Sequence, residues 1–284
     1  MTASLRLHAP STLEYFASLV AEDEGLNLLE AAAAIAQDEY PELDVQAVLA
    51  DVDALAQRLR QRLAADAAPS HRLRLLNRYF HEELGFAGNV NDYYERGNSY
   101  IHRVLETRRG IPIALAVIYL EMAAQIGLQA HGVAFPGHFL IKLHLPQGEV
   151  VLDPFTCQSL SREALEEALL PYREGRENLP LQRFLRNATP RQVLARMLRN
   201  LKEIHRSAAD WARLLAVQQR LVLLLPDDVG ELLDRAQVLE ALGHWRGAAA
   251  DLERCLILQP DAPQADEIRT RWRALQARGN PPLH

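Results

Sequence analysis

The chain reads as an α+β protein, mostly helical, in which N-terminal helices precede a buried helix, a small antiparallel sheet and a tail of helical hairpins. Three features of the 284 residues predict this. Apolar residues recur at helical spacing through VQAVLADVDALAQRLRQRL, and the period drops to two in AHGVAF, HFLIKLHL and EVVLD. In the tail, LLLPDD and LILQPDA set Pro226 and Pro260 one hairpin repeat apart, about 34 residues.

Composition narrows the function classes. With 49% hydrophobic and 24% charged residues the chain can bury a full core, so disorder is not expected. The net charge of -6 leaves no basic surplus to neutralise phosphates or anionic lipid, which argues against a direct nucleic-acid partner and against a membrane surface. Met1 to Pro10 has no apolar core behind a basic start, and the apolar run Ile111 to Leu120 is stopped by Glu121 short of a membrane span, so a cytoplasmic protein is expected. Cys157 and Cys255 stand far apart without metal-ligand neighbours, which predicts neither a disulfide framework nor a metal site, and no cofactor motif appears.

The elements follow in order. Asn27 with Glu30 is shaped like a capping box before LLEAAAAIAQ, Pro41 ends that helix, and Asp44 opens the next. Ser70 is placed to cap HRLRLLNRYFHEEL, which Gly85 stops. GFAGNVNDYYERGNS then breaks the pattern with turn residues and two tyrosines, either as a connector packed on its tyrosines or as the lining of a site. Asn98 or Ser99 is placed to cap YIHRVLET, ended by Arg108-Arg109-Gly110. Pro112 suits the first position of IALAVIYLEMAAQI, a helix so apolar that it must be buried, and Gly127 closes it.

The hairpin in FPGHFLIKLHLPQGEVVLDPF carries a histidine near its start and an aspartate near its end. A four-residue loop over His144 to Gln147 would set Phe139 opposite Leu152, Ile141 opposite Val150, Lys142 opposite Glu149 and His138 opposite Asp153, matching apolar with apolar and charge with charge. A two-residue loop at Gln147-Gly148 would instead set Lys142 opposite Asp153. The wider loop is the expectation, and it makes Asp153 the residue that orients the imidazole of His138.

A histidine held by an aspartate is two-thirds of a nucleophilic triad. The order buried helix, strand with His138, strand with Asp153-Pro154 resembles the transglutaminase-like, papain-related cysteine hydrolases. In that family a nucleophilic cysteine begins the buried helix, and the resemblance sets Pro112 at that position. No Cys, Ser or Thr lies between Gly110 and Gln125 to replace it. NSYIHRVLETRRGIPIALAVIYLEMAAQIGL, FPGHFLIKL and LDPF, with IAQDEYPELD and LGFAGNVNDYYERGNS upstream, narrow the match to the SirB-type bacterial proteins. The resemblance covers nearly the whole chain. It implies a transglutaminase-like core with tetratricopeptide-like repeats behind it, a regulatory role, and proline in place of the nucleophile. His138 and Asp153 are then the catalytic positions, and Asn98, Arg109 and Pro112 the candidate binding positions.

The tail supports the same organisation. Ala236, Leu239, Gly243, Ala248, Leu252 and Cys255 fill the small and apolar slots of one tetratricopeptide-like hairpin. The preceding repeat fits poorly, with Lys202 where a small residue is usual, and a single helix follows from about Gln264 to Gln276. Residues 1–185 are thus expected to form the helical region plus core and 186–284 the repeat tail. Arg108 and Arg109 would either bind an anion or neutralise a helix end. His81, His102, His131, His144 and His205 have no evident partners. The favoured function is a non-catalytic binder of a protein or peptide. A hydrolase or acyltransferase using Cys157, or a water activated by His138, is the alternative, and a regulator acting directly on DNA is disfavoured by the acidic balance.

Overall fold

A computed structural model of the chain describes residues 10–172 and 179–279. Residues 1–9, on which the reading of the amino terminus rests, lie outside them. Two compact units divide the chain, one from Asp23 to Met197 and the other joining the residues before Asp23 to those from Leu198 onward. This differs from a division at Leu185. The Ala188 N–H donates to the Gly132 carbonyl at 2.8 Å, so the chain stays tied to the sheet beyond that point.

Helix α1 (Thr12–Leu19) belongs to the second unit and carries a full capping box between Ser11 and Glu14. The sheet-bearing unit begins with α2 (Leu28–Ala34) and α3 (Val45–Arg60), whose first N–H groups are taken by the side chains of Asn27 and Asp44 as expected. Helix α4 (Pro69–Asn77) starts one residue before the expected cap. Pro69 occupies its first turn, Ser70 is inside the helix, and no side chain caps it. A π-helical turn, Arg78–Glu83, extends it to Gly85, which turns the chain at φ +73.

Two short segments missed by the periodicity come next. β1 (Ala87–Gly88) pairs in parallel with β2 (Arg109–Gly110), and between them lies α5 (Ile101–Thr107). Neither Asn98 nor Ser99 caps α5. Both lie in a 3-10 turn before its N-cap, Tyr100. Arg108 ends α5 in the left-handed conformation at φ +59. Helix α6 (Pro112–Gln125) has Pro112 in its first turn and buries every residue from Ile113 to Tyr119.

The sheet has the order β3 (Gln129–Val133), β4 (Leu140–Leu145), β5 (Gly148–Asp153), β6 (Gln158–Ser159), all antiparallel, followed by α7 (Arg162–Leu169). The expected hairpin register is corrected. Ile141 faces Leu152, Lys142 faces Val151 and Leu145 faces Gly148, leaving Pro146 and Gln147 as a two-residue turn. The slip is by two residues, so each side chain keeps its face while its partner changes. The physical reason lies in the second face, which carries Leu140, Lys142 and Val151. It is covered: Leu140 and Val151 pack with Leu165, Leu169 and Leu181, and buried Lys142 donates to the Leu185 carbonyl at 2.8 Å. Charge matching between Lys142 and Glu149 survives only as a diagonal pair at 3.7 Å.

The second unit is helical: α8 (Pro190–Ser207), which enters it at Leu198, then α9 (Trp211–Leu224), α10 (Val229–Ala241), α11 (Trp245–Leu258) and α12 (Ala265–Gly279). Ala236, Ala248, Leu252 and Cys255 form the core expected of the hairpin α10–α11. Phe16 of α1 is buried on α9, with the Arg220 guanidinium 5.3 Å from its ring centre. Lys202 fits its buried slot because two carboxylates of α10 meet it, Glu231 at 2.7 Å and Asp234 at 2.6 Å, while Arg199 also reaches Glu231 at 2.7 Å.

Removing Lys202 leaves the buried Glu231 carboxylate with Arg199 alone. Lys202→Met is expected to cost about 2–3 kcal/mol in a urea titration of the full chain, and the double change Lys202→Met with Glu231→Leu should recover most of that loss. A single variant as stable as the natural chain would show that the cluster contributes nothing.

Candidate functional site

The amino terminus of α6 organises the region. Pro112 is half-buried in the first turn and offers no N–H, while the Ile111 N–H donates to the Asn98 carbonyl at 3.1 Å. The buried Asn98 amide also donates to the carbonyls of Asp92, at 2.7 Å, and Tyr93, at 3.3 Å, and its oxygen accepts from Asn89 at 3.0 Å. Asn98 therefore shapes the tyrosine loop against the helix end. Arg109 points its guanidinium back to the Gly85 carbonyl, 2.5 Å away, and ties β2 to the turn before β1. Arg108 lies over the Phe86 ring with its Cζ 4.6 Å from the ring centre.

The His138–Asp153 pairing is the second correction, and it follows from the register. His138 is exposed at the end of a turn in which its N–H donates to the Phe135 carbonyl at 3.1 Å, with Gly137 at φ +70 in the left-handed position of a type II turn. The Asp153 carboxylate is taken up locally. One oxygen accepts from the Phe155 N–H at 2.8 Å and the other from the Thr156 hydroxyl at 2.9 Å, closing the loop between β5 and β6. Among the described residues no hydrogen bond joins His138 to Asp153.

The histidine that does meet a thiol is His81, one of those read as unpartnered. Its Nδ1 touches the Cys157 sulfur and lies 3.0 Å from the Phe86 carbonyl. That carbonyl favours the tautomer with its proton on Nδ1, which leaves no lone pair there to take the thiol proton. Cys157 sits at φ +67, a conformation unusual for a residue with a side chain. Burial, with the nearby Asp153 charge, pushes its thiol up to about 11, and burial lowers His81 below the usual imidazole range. Both groups are neutral at physiological pH, the opposite of a thiolate–imidazolium pair. His144, also read as unpartnered, lies 3.3 Å from Glu149.

The loop and the sheet meet through Phe155. The Gly88 N–H donates to the Phe155 carbonyl at 3.1 Å, and a Cβ at Gly88 would stand 2.2 Å from the Phe155 ring, so only glycine fits. Tyr93, 44% exposed, lies 5.9 Å from that ring, centre to centre, and Tyr94 is 79% exposed beside it. A further residue, Arg196 of α8, donates to the Phe135 carbonyl at 3.3 Å. No local pattern singles it out, because its site is made by a turn far away in sequence.

A buried apolar helix, the strands after it and the helical hairpins beyond define a transglutaminase-like protein with a tetratricopeptide tail. A family model of the transglutaminase-like superfamily matches residues 46–199 and a tetratricopeptide-repeat model matches residues 201–273. The chain belongs to the transglutaminase-like superfamily. It is 37% identical over 251 residues to a UPF0162 protein of Xylella fastidiosa, covering 87% of this chain and 89% of that one. A UPF0162 protein of Pseudomonas aeruginosa is 29% identical, covering 90% of this chain and 94% of its own. The human F-box only protein 21 is 32% identical over 191 residues, 65% of this chain but 30% of that protein. No solved structure matches the chain. This organisation of domains suggests a role in protein interaction. Among the described residues no helix is long and apolar enough to cross a membrane, and no group of three or more metal-ligating side chains forms.

The protonation states give a test. Alkylation of Cys157 in a Cys255→Ser chain should be slow at neutral pH and rise only as pH approaches about 11, where the thiol ionises. A rate that plateaus near pH 7 would mean an activated thiolate instead.

Proposed function

We propose that the chain is a non-catalytic transglutaminase-like protein of the cytoplasm that binds a protein or peptide partner in a regulatory role, through the surface beside the α6 amino terminus and the helical tail. The observation that carries this is Pro112. The head of the buried helix, where the resemblance sets a nucleophile, holds a residue with neither a reactive side chain nor an N–H. Three of the polar side chains that the resemblance puts in a site are committed to structure. Asn98 holds the loop, Asp153 closes its own turn and Arg109 ties a strand end.

One observation favours a second reading, thiol chemistry at Cys157. Its sulfur contacts His81 in a strained backbone, with the Asp153 charge close enough to act on both. The high thiol pKa and the protonated Nδ1 weigh against it, since neither supplies a thiolate at neutral pH.

Reciprocal capture with the full chain separates the two. A partner identified by capture and recaptured from its own side should be retained by Cys157→Ser and His81→Ala chains, and weakened about tenfold when Tyr93 and Tyr94 are both changed to alanine. Retention by the tyrosine variant together with loss on Cys157→Ser would support the second reading.

A further inference from the structure

Within the sheet-bearing unit, Arg196 is a half-buried cation without an acidic partner among the described residues. Its neighbours show how firmly it is set. Nη1 donates to the Phe135 carbonyl at 3.3 Å, and its Cζ stands 5.9 Å from the Phe139 ring centre. The guanidinium is thus fixed against the turn that carries Gly137 and His138. Among the described residues the remaining N–H donors of its fork have no acceptor, and they are not sealed inside the fold. Two other cations of this unit are already matched, Lys142 by the Leu185 carbonyl and Glu149, and Arg191 by Asp23.

Two tyrosines share its field. Tyr93 and Tyr172 both lie close enough for their hydroxyls to interact with the Arg196 charge, and burial lowers the arginine's affinity for its proton. Tyr172, 48% exposed, lies against the same turn, where a Cβ on Gly137 would stand 2.2 Å from its hydroxyl. Tyr93 continues the surface to Phe155 at 5.9 Å. A fixed guanidinium flanked by partly exposed rings is suited to a planar carboxylate with an apolar group beside it. A single cation suits one carboxylate, whereas a dianionic phosphate would call for more than one.

We propose that Arg196 anchors a site for an acidic peptide segment, whose carboxylate docks on the guanidinium while an adjoining apolar side chain lies against Tyr93, Phe155 and Tyr172. This rests on the partner-binding reading and names the chemistry of the partner.

The test is a nuclear magnetic resonance titration of the full chain, following the Arg196 Nε–H signal. Three probes are used: the blocked tetrapeptide Gly-Phe-Glu-Gly, its Gly-Phe-Gln-Gly counterpart, and inorganic phosphate. The glutamate peptide should shift that signal saturably and bind at least about tenfold tighter than the glutamine peptide, and Arg196→Gln should remove that difference. Phosphate should not compete. Equal binding of the two peptides, competition by phosphate, or no saturation up to about 10 mM would overturn the proposal. The comparison of glutamate with glutamine uses the natural chain, so it decides the matter even where the variant misfolds. Partner capture is scored separately: a failed titration with intact capture removes the acidic specificity and leaves the partner-binding reading in place.

Discussion

The burial of α6 is the constraint on which the sheet-bearing unit depends. A helix with no polar face has to be enclosed, and enclosure leaves its first N–H groups without water. Proline at the first position removes one donor, and the Asn98 carbonyl receives that of Ile111. From that bond the surroundings follow. Asn98 folds the tyrosine loop over the helix end, Arg108 turns the chain out of α5 in the left-handed conformation, and β1 and β2 pair beside it. The loop then closes on Phe155, where only glycine fits at position 88.

The same arrangement accounts for what the site can and cannot do. Satisfying a buried helix end with a carbonyl and a proline is a structural solution, and it consumes the place where a helix dipole would lower a thiol pKa. The cysteine that the fold does bring near a histidine lies in a loop at the far end of the sheet's third strand, where burial keeps its proton on. Among the described residues the region also presents aromatic surface at Tyr93 and Tyr94 and the guanidinium of Arg196 held on the Phe135 carbonyl.

Local signals carried much of this in advance. The caps at Asn27 and Asp44, the proline-headed α6 and the small residues of the α10–α11 hairpin each depend on neighbours within one or two turns, and each is where periodicity sets it. What failed depends on distant chain. The hairpin register was argued from matching pairs within the hairpin alone, yet Leu165, Leu169 and Leu181 cover one face and Lys142 finds a carbonyl there. The contact of His81 with Cys157 joins a helix end to a loop across the fold, and nothing in the spacing of the two announces it. The two compact units part within α8, one continuous amphipathic helix, and nothing local in the spacing of its residues marks that point.

The central claim is that this transglutaminase-like fold binds without reacting. The most direct measurement is amine incorporation and amide hydrolysis by the natural chain, run beside its Cys157→Ser form, across acyl donors that include glutamine-containing peptides. The account predicts no turnover by either protein at neutral pH. Turnover by the natural chain that disappears in the Cys157→Ser form would contradict it, and turnover that persists in both would contradict it as well.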